Sequence, residues 1–252
     1  MSTIIRIGQI PYLNCEPFFH DLDLEGIELK PMPPSSMGPL ARSGDLDAGP
    51  FSLVQSFDLR DTHEILGNMG IGVKGPVLSI LLYSRVPMSE LSGNFIGVTQ
   101  ESATASQLLR VLLENYYNVK PRAYVDLSAS QQQAFLLIGD QALAADEQLD
   151  GFPYRYDLSD VWLQCNGLPF VFAVWMVRRD LPNEYKIMLA NRIKDNLLNN
   201  MEHNLDIIAD KRSDIGIRSD QIIAYLKAFR YVLSTEEWQG AEEFERTWRS
   251  LQ

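Results

Sequence analysis

The sequence predicts an α/β protein with two lobes and a ligand cleft between them. Over the first half of the 252 residues, short apolar runs alternate with helical patterns, an order typical of parallel sheet units. A strongly apolar run, FVFAVWMVRR, predicts one more buried strand, and the chain after it becomes mainly helical. We expect this strand to return to the first lobe. Residues 1–85 and 173–252 would then form lobe one, and residues 86–172 would form lobe two.

The first half of the chain begins with two predicted strands, IIRIGQI and IELKPM, and a helix over PLARSGDLD that leads into the short segment DAGPFS. Two longer β-rich runs follow, THEILGNMGIG and VLSILLYSR, separated by the turn-like VKGP. The strand NFIGVT passes directly into a helix, whose apolar face holds Leu108, Leu109, Leu112, Leu113 and Tyr116. RAYVD and SASQQQAFLLIGD predict a further strand and a further helix.

The second half is predicted to contain three amphipathic helices. The longest has apolar residues every four positions, at Leu189, Ile193, Leu197, Met201 and Leu205. QIIAYLKAF and AEEFERTWRSL predict the other two.

Composition and charge exclude several classes of protein. A net charge of -11 and a pI near 4.7 argue against nucleic acid, because phosphate binding needs clustered Lys and Arg. The N-terminal MSTIIRIGQIPYLN lacks the basic and apolar regions of a secretion signal, and no window approaches the roughly 20 apolar residues that cross a bilayer. Cys15 and Cys165 form no disulfide or metal-binding spacing motif. We therefore expect a cytoplasmic protein that binds neither nucleic acid nor membranes.

The sequence predicts no metal site and no organic cofactor. His20, His63 and His203 are scattered along the chain without the spacing of metal ligands. No glycine-rich phosphate loop and no Ser-His-Asp order is found. The sequence leaves open whether the protein is a monomer or a homodimer.

The first strand ends at Asn14, shortly before Pro17. An Asn in this place is commonly a turn former or a helix cap. Because ligands of open α/β sheets bind beyond the carboxyl ends of strands, its amide can instead point into the cleft. An amide is not a general base at ordinary pH, so Asn14 can position a substrate or help a hydroxyl depart.

A second candidate site is the helix start in VTQESATAS. Ser102 and Thr104 are both good N-cap residues, and capping alone can explain them. The free N–H groups of a first helical turn and the positive end of the helix dipole can also bind a carboxylate. Both interpretations remain open.

Four further residues have both a structural and a functional interpretation. Ser79 follows the turn after Gly75, where a serine is more often an edge residue than a ligand contact. Asp140, in LLIGDQAL, can cap a helix, hold loops by accepting backbone N–H bonds, or act as an acid or base. Asn166 and Gly167 precede an aromatic strand that is typical of a core, and their loop can reach a ligand.

Six stretches together resemble a known enzyme family. They are Tyr12-Leu13-Asn14 with Pro17, GDLDAG from Gly44 to Gly49, Gly75-Pro76-Val77 with Ser79, Ser102 with Thr104, Gly139-Asp140 with Ala142-Leu143, and GLPFVFA from Gly167 with Trp175. In this order, over nearly the whole chain, they resemble the chorismate dehydratases of the futalosine route to menaquinone. The resemblance implies a fold similar to type 2 periplasmic-binding proteins. It also implies a cytoplasmic enzyme that removes water from chorismate and forms 3-(1-carboxyvinyloxy)benzoate.

The resemblance also implies roles for individual residues. It places Asn14 in the cleft as the catalytic amide, and it assigns substrate binding to Ser79, Ser102, Thr104, Gly139, Asp140, Asn166 and Gly167. The chain departs from the family pattern at Ala105, where the family usually has Ser, and at Asn166, where it usually has Thr.

Two questions remain open at the level of sequence. The base is either the enolpyruvyl carboxylate of the substrate itself, or Asp140 or Glu16. An alternative function is a cytosolic two-lobe protein that binds a small carboxylate without catalysis. A second alternative is the later naphthoate-forming enzyme of the same pathway, although the three histidines offer no convincing counterpart to its active-site His.

Overall fold

The computed structural model describes residues 4–99, 103–145 and 148–252, and it confirms an α/β fold with two sheets. The strands are β1 (Ile5–Gln9), β2 (Ile27–Pro31), β3 (Ala48–Ser52), β4 (His63–Val73), β5 (Ile80–Ser84), β6 (Phe95–Val98), β7 (Ala123–Asp126), β8 (Gln132–Ile138), β9 (Tyr154–Asp157), β10 (Phe170–Arg178) and β11 (Phe229–Val232). The helices are α1 (Glu16–Phe19), α2 (Pro34–Ser43), α3 (Leu53–Asp58), α4 (Ala103–Val111), α5 (Gly139–Leu143), α6 (Leu158–Asn166), α7 (Asn183–His203), α8 (Leu205–Lys211), α9 (Ser219–Ala228) and α10 (Thr235–Arg249).

Lobe one is built on a six-stranded sheet with the strand order β11-β4-β10-β3-β1-β2. β1 pairs in parallel with β2 and with β3, as the alternation of strands and helices predicted. β10 runs antiparallel to both β3 and β4. This sheet is therefore completed by a strand from a distant part of the chain.

Lobe two is built on a five-stranded sheet with the order β7-β6-β8-β5-β9. β6 is parallel to β7 and to β8, whereas β5 is antiparallel to β8 and to β9. Each sheet thus joins a parallel part to an antiparallel part, and only the parallel part was predicted.

The chain crosses between the sheets at different positions from the predicted lobe boundaries. β5 pairs with β8 from Ile80 opposite Ile138 onwards, so residues 80–84 belong to the sheet of lobe two. β10 begins at Phe170, before the predicted boundary at residue 173. Sheet membership places the crossings between β4 and β5, within residues 74–79, and between β9 and β10, within residues 158–169. An apolar run predicts a buried strand but does not reveal its pairing partner, which explains the difference.

Several elements differ from the sequence predictions: α3, β9 and α6 were not predicted, and three further differences concern β8, the long helix and β11. SASQQQAFLLIGD was predicted to be a helix, and it contains β8, in which burial alternates with period two from Ala134 to Ile138. The long helix ends at His203, and Asn204 separates it from α8, so Leu205 begins a second helix. β11 directly follows α9 and was not predicted.

The apolar runs form the cores of the two lobes. Every residue of β10 except Arg178 is buried, and the rings of Phe18 and Trp175 lie 5.3 Å apart. The predicted apolar face of α4 and the π-helical turn after it is also buried, at Leu108, Leu109, Leu112 and Leu113. The sequence therefore predicted the core better than the strand pairing.

Asp47, from the GDLDAG stretch, holds three strands of lobe one together. Its carboxylate accepts hydrogen bonds from the Arg6 backbone N–H at 2.8 Å, from Arg6 Nε at 2.9 Å and from Arg178 at 2.9 Å. Burial alone would raise the pKa of Asp47, but the hydrogen bonds and charge of Arg6, helped by Arg178, lower it overall. These hydrogen bonds give Asp47 of the GDLDAG stretch a structural role in lobe one.

We expect Asp47→Asn to lower the free energy of unfolding by about 1.5 kcal/mol near neutral pH, because it removes charge-assisted hydrogen bonds. The folded-state pKa lies below the unfolded value, so this stabilisation is present above about pH 4 and is lost as the pH falls through the folded value. Urea unfolding at about pH 7 and about pH 3 should show a gap between wild type and variant that narrows at the lower pH. Asp58→Asn, at an exposed position, is the control. A gap that widens on acidification would contradict the prediction.

Two features are absent among the described residues: a membrane-spanning helix and a cluster of metal-binding side chains. In residues 4–99, 103–145 and 148–252, no helix combines the length and the apolar character needed to cross a bilayer. Within the same ranges, no group of three or more His, Cys, Asp or Glu is arranged to hold a metal ion.

Candidate active site

A cavity that is partly open to solvent lies between the two lobes. Lobe one contributes the segment after β1, the start of α2, the end of β3, and parts of β4 and β10; lobe two contributes the start of β5 and the end of β8. The lining residues are Ile10, Tyr12, Asn14, Cys15, Pro34, Ser52, Ile71, Ser79, Ile80, Ile138, Gly139, Phe172 and Ala173. The cavity lies beyond the carboxyl ends of β1, β3 and β8, which is where α/β sheets bind ligands.

Asn14 lies in the wall of this cavity, in the 3-10 turn Leu13–Cys15 that follows β1. Its side-chain oxygen contacts Cys15 Sγ at 3.5 Å, and no described residue hydrogen-bonds its amide nitrogen. The amide can therefore donate to one ligand atom and accept from another.

Ser79 lines the cavity from lobe two and is 2% exposed. The hydroxyl of Tyr225, on α9 of lobe one, donates to Ser79 Oγ at 3.0 Å. Burial raises the pKa of Tyr225, although the hydrogen bond to Ser79 works against it, so the phenol keeps its proton. Because Tyr225 supplies the proton of this bond, the Ser79 proton is left to donate to a ligand oxygen.

Gly139 lines the cavity at the end of β8, where φ is 57°. This left-handed conformation favours glycine. A Cβ at this position would lie 3.7 Å from the ring of Tyr12, so the segments after β1 and β8 approach each other closely across the lobes. The Gly139 N–H donates to the backbone oxygen of Ser79 at 2.8 Å, which fixes the two lobe-two residues relative to each other.

Asp140 joins the lobes beside the cavity and is not among the lining residues. Its Oδ1 accepts the Leu13 N–H at 3.3 Å, and its Oδ2 accepts from Arg212 at 2.5 Å. The same guanidinium donates to Glu16 at 2.8 Å. Burial would lower the pKa of Arg212, but Asp140 and Glu16 raise it overall, so this charge is fixed. Both side chains considered as alternative bases are therefore engaged by Arg212.

Thr104 also joins the two lobes. It lies in the first turn of α4, is 1% exposed, and accepts the N–H of Val54 on α3 at 3.2 Å. It is not among the lining residues of the cavity. Ser102, the other hydroxyl expected to bind a carboxylate, lies outside the described residues.

We expect Thr104→Val to lower the free energy of unfolding by about 1 kcal/mol, because the Val54 N–H loses its acceptor while the shape is kept. Urea unfolding measures this loss. Thr235→Val, at an exposed helix start, is the control. Unchanged stability of the Thr104 variant would contradict the prediction. A contact between Thr104 and a substrate carboxylate stays a prediction. It implies that Thr104→Val raises the Michaelis constant about tenfold, which corresponds to about 1.4 kcal/mol.

Asn166 and Gly167 form the end of α6. Asn166 Oδ1 accepts the Leu168 N–H at 2.9 Å, and Gly167, with φ of 75°, donates its N–H to the backbone oxygen of Leu163 at 2.7 Å. These are helix-ending contacts. The structure therefore brings Asn14, Ser79 and Gly139 to the cavity wall and does not bring Asn166 and Gly167 there.

The cavity offers neutral polar groups in a mainly apolar wall. No lining residue that the structure describes is an Asp, Glu, His, Lys or Arg. Cys15 is buried, and burial raises the pKa of its thiol, so it is not an activated nucleophile. Such a site is suited to orient a ligand and to stabilise developing charge through hydrogen bonds.

Three residues that shape the site were missed at the level of sequence. Tyr225 orients Ser79, Arg212 pairs with Asp140, and Ser52 lines the cavity wall from lobe one. Tyr225 lies in a helix whose pattern predicted only packing. Ser52 ends β3, so the rule that ligands bind beyond the carboxyl ends of strands could have identified it.

Comparison with known proteins relates nearly the whole chain to one group of sequences. A family model described as menaquinone biosynthesis matches residues 5–249. A chorismate dehydratase from Thermus thermophilus is 28% identical over 260 residues, which cover 94% of this chain and 93% of the relative.

Solved structures resemble the chain in fold. A crystal structure of a protein from Archaeoglobus fulgidus matches with a TM-score of 0.77 at 18% identity, covering 98% of this chain and 97% of that one. An ABC transporter protein from Parabacteroides distasonis matches with a TM-score of 0.63 at 14% identity, covering 98% and 92%. The ligand-binding component of an ABC-type import system from Staphylococcus aureus matches with a TM-score of 0.61 at 15% identity, covering 99% and 92%. These matches confirm the expected fold of the type 2 periplasmic-binding-protein kind.

Proposed function

Because the chain belongs to the menaquinone biosynthesis family, we propose that it is a chorismate dehydratase, a lyase that removes water from chorismate in the cytoplasm. The product is 3-(1-carboxyvinyloxy)benzoate. The main support is the similarity to a chorismate dehydratase over 94% of this chain. The family match over residues 5–249 spans every residue that lines the cavity.

The cavity suits the chemical groups of this substrate. Chorismate carries a six-membered ring, a hydroxyl, an enol ether and two carboxylates. Apolar side chains such as Ile71 and Phe172 can contact the ring, while Asn14 and Ser79 can hydrogen-bond its oxygens. The net charge of -11 repels an anion at long range, but salt screens this repulsion beyond about 8–10 Å. The N-terminus of α2 reaches the cavity at Pro34 and adds the positive end of a helix dipole.

The proposed reaction breaks one C–H bond and one C–O bond at two neighbouring carbons of the ring and leaves the ring itself intact. A base takes the proton from the carbon that bears the enol ether, and the hydroxyl departs from the neighbouring carbon. The proton and the hydroxide leave together as water, and the electron pair of the C–H bond completes the aromatic ring. Aromatisation supplies much of the driving force, so orientation of the substrate contributes much of the catalysis. We assign Asn14 to the departing hydroxyl and Ser79 to a carboxylate oxygen.

The base in this proposal is the enolpyruvyl carboxylate of the substrate. The lining residues that the structure describes include no side chain that commonly acts as a base. Arg212 donates to one carboxylate oxygen of Asp140 and to one of Glu16, and neither residue is among the described lining residues of the cavity. The substrate carboxylate, in contrast, enters the site together with the proton that it removes.

We expect the purified protein to convert chorismate into the aromatic enol ether without added metal, nucleotide or flavin. The physical reason is that the reaction is a redox-neutral elimination, for which the proposed groups are sufficient. Mass spectrometry and ultraviolet absorbance detect the product, and heat-denatured protein is the control. Turnover that is lost after exhaustive chelation and restored by one divalent ion would contradict the prediction that no metal is needed. It would leave the dehydratase function standing.

The same experiment separates the alternatives. Chorismate that binds and stays unchanged would favour a two-lobe binding protein, in line with the ABC-type neighbours of this fold. The naphthoate-forming alternative requires an active-site histidine, and His20, His63 and His203 are not among the lining residues. Absence of both binding and turnover would refute the proposed function.

A further inference from the structure

Ser52 places an unpaired hydroxyl in the wall of the cavity. The residue is 5% exposed, and its Oγ has no hydrogen-bond partner among the described residues. A buried hydroxyl without a partner is unfavourable, so native proteins rarely keep one unless a ligand or an ordered water satisfies it. We therefore expect the partner of this hydroxyl to be a molecule bound in the cavity.

Ser52 stands where a serine normally caps a helix. It directly precedes α3, yet its side chain makes no capping hydrogen bond. A capping serine accepts the N–H of the second or third helical residue. In α3 the second residue is Val54, and its N–H donates instead to Thr104 of lobe two, at 3.2 Å. Thr104 thus replaces Ser52 as the acceptor, and the Ser52 hydroxyl stays free.

We propose that Ser52 is a further substrate-binding residue, whose hydroxyl donates to a carboxylate oxygen of the ligand. The proposal rests on the proposed function, which supplies a dicarboxylate ligand. No described lining residue carries a positive charge, so a carboxylate that lies against this wall meets neutral donors. Ser52 and Asn14 supply such donors from lobe one, and Ser79 supplies one from lobe two. A hydroxyl that donates to a charged acceptor forms a strong hydrogen bond.

The test compares Ser52→Ala with Ser56→Ala. Ser56 is a buried serine of the same segment, is not among the lining residues, and donates to the Leu53 backbone oxygen at 2.6 Å. Titration calorimetry measures binding of the product, 3-(1-carboxyvinyloxy)benzoate, and thermal unfolding without ligand measures stability. We expect Ser52→Ala to weaken binding about tenfold or more, because a hydrogen bond to a charged group is lost. Its unfolding midpoint should be unchanged or higher, because an unsatisfied hydroxyl is removed. Ser56→Ala should keep the affinity of the wild type.

Each outcome decides the proposal. Wild-type affinity in Ser52→Ala, or an equal loss in Ser56→Ala, would overturn it. A lower unfolding midpoint in Ser52→Ala would show that the hydroxyl has a partner within the protein, and this also overturns it. If the wild type does not bind the product, isophthalate, an aromatic dicarboxylate, becomes the probe. Binding of either probe without turnover of chorismate refutes the dehydratase function and still tests Ser52, whereas binding of neither refutes both.

Discussion

Replacing Asn14 by alanine should reduce kcat/KM for chorismate about a hundredfold, because loss of one catalytic hydrogen-bonding group typically adds about 3 kcal/mol to the barrier. The folded protein should remain as stable as the wild type. The Asn14 side chain makes only a long contact with Cys15 Sγ at 3.5 Å, so its removal breaks no strong internal hydrogen bond. Initial-rate kinetics and thermal unfolding measure the two effects separately.

A matched control for Asn14 is Asn94→Ala. Asn94 is also half-buried, but its amide donates to the backbone oxygens of Glu90 and Ser92 at 3.2 and 3.3 Å, and it is not among the lining residues. We expect this variant to keep wild-type kinetics. Near-normal turnover in a well-folded Asn14→Ala protein would show that the amide is a turn former and not part of the catalytic machinery.

Replacing Ser79 by alanine should lower kcat/KM about thirtyfold, or about 2 kcal/mol, the usual effect of losing a hydrogen bond to a charged group. The change also leaves the Tyr225 hydroxyl buried without its acceptor, so the free energy of unfolding should fall.

The Tyr225→Phe variant tests the positioning role of Tyr225. It keeps the ring and removes the donor, and it should lower kcat/KM by a smaller factor.

The double variant, Ser79→Ala with Tyr225→Phe, distinguishes positioning from a separate role in catalysis. If Tyr225 acts through Ser79, the second change adds little to the loss of kcat/KM. It should also restore part of the stability, because no buried hydroxyl is then left unpaired. Additive kinetic losses would contradict the assignment of Tyr225 as a positioning residue.

The fold could be predicted from the sequence where the pattern is local. Apolar runs identified β4, β6 and β10, and helical periodicity identified α7 and α10. The failures concern pairing, which is not local. β8 was predicted to be a helix because it follows a predicted strand in the alternating order, and its two edges pair with β5 and β6, which lie far from it in the sequence. The lobe boundary at residue 85 differs from the sheet membership of β5 for the same reason.

The candidate site was predicted where one segment carries both the bend and the polar group, as at Asn14. Contacts between distant segments could not be predicted in this way. Tyr225 meets Ser79 across 146 positions of the sequence, and Arg212 meets Asp140 across 72. Nothing in the sequence near Tyr225 or Arg212 indicates these partners. Thr104 is a similar case, since its buried hydroxyl meets a backbone N–H of the other lobe.

Because β10 lies between β3 and β4, the sheets of the two lobes can be completed at different times during synthesis of the chain. The sheet of lobe two uses strands from residues 80–157 only, so it can form as soon as this stretch of nascent chain has emerged. β3 and β4 must wait, with unpaired edges, until residues 170–178 are synthesised. Unpaired strand edges favour aggregation. We therefore expect the segment made first to complete its sheet last.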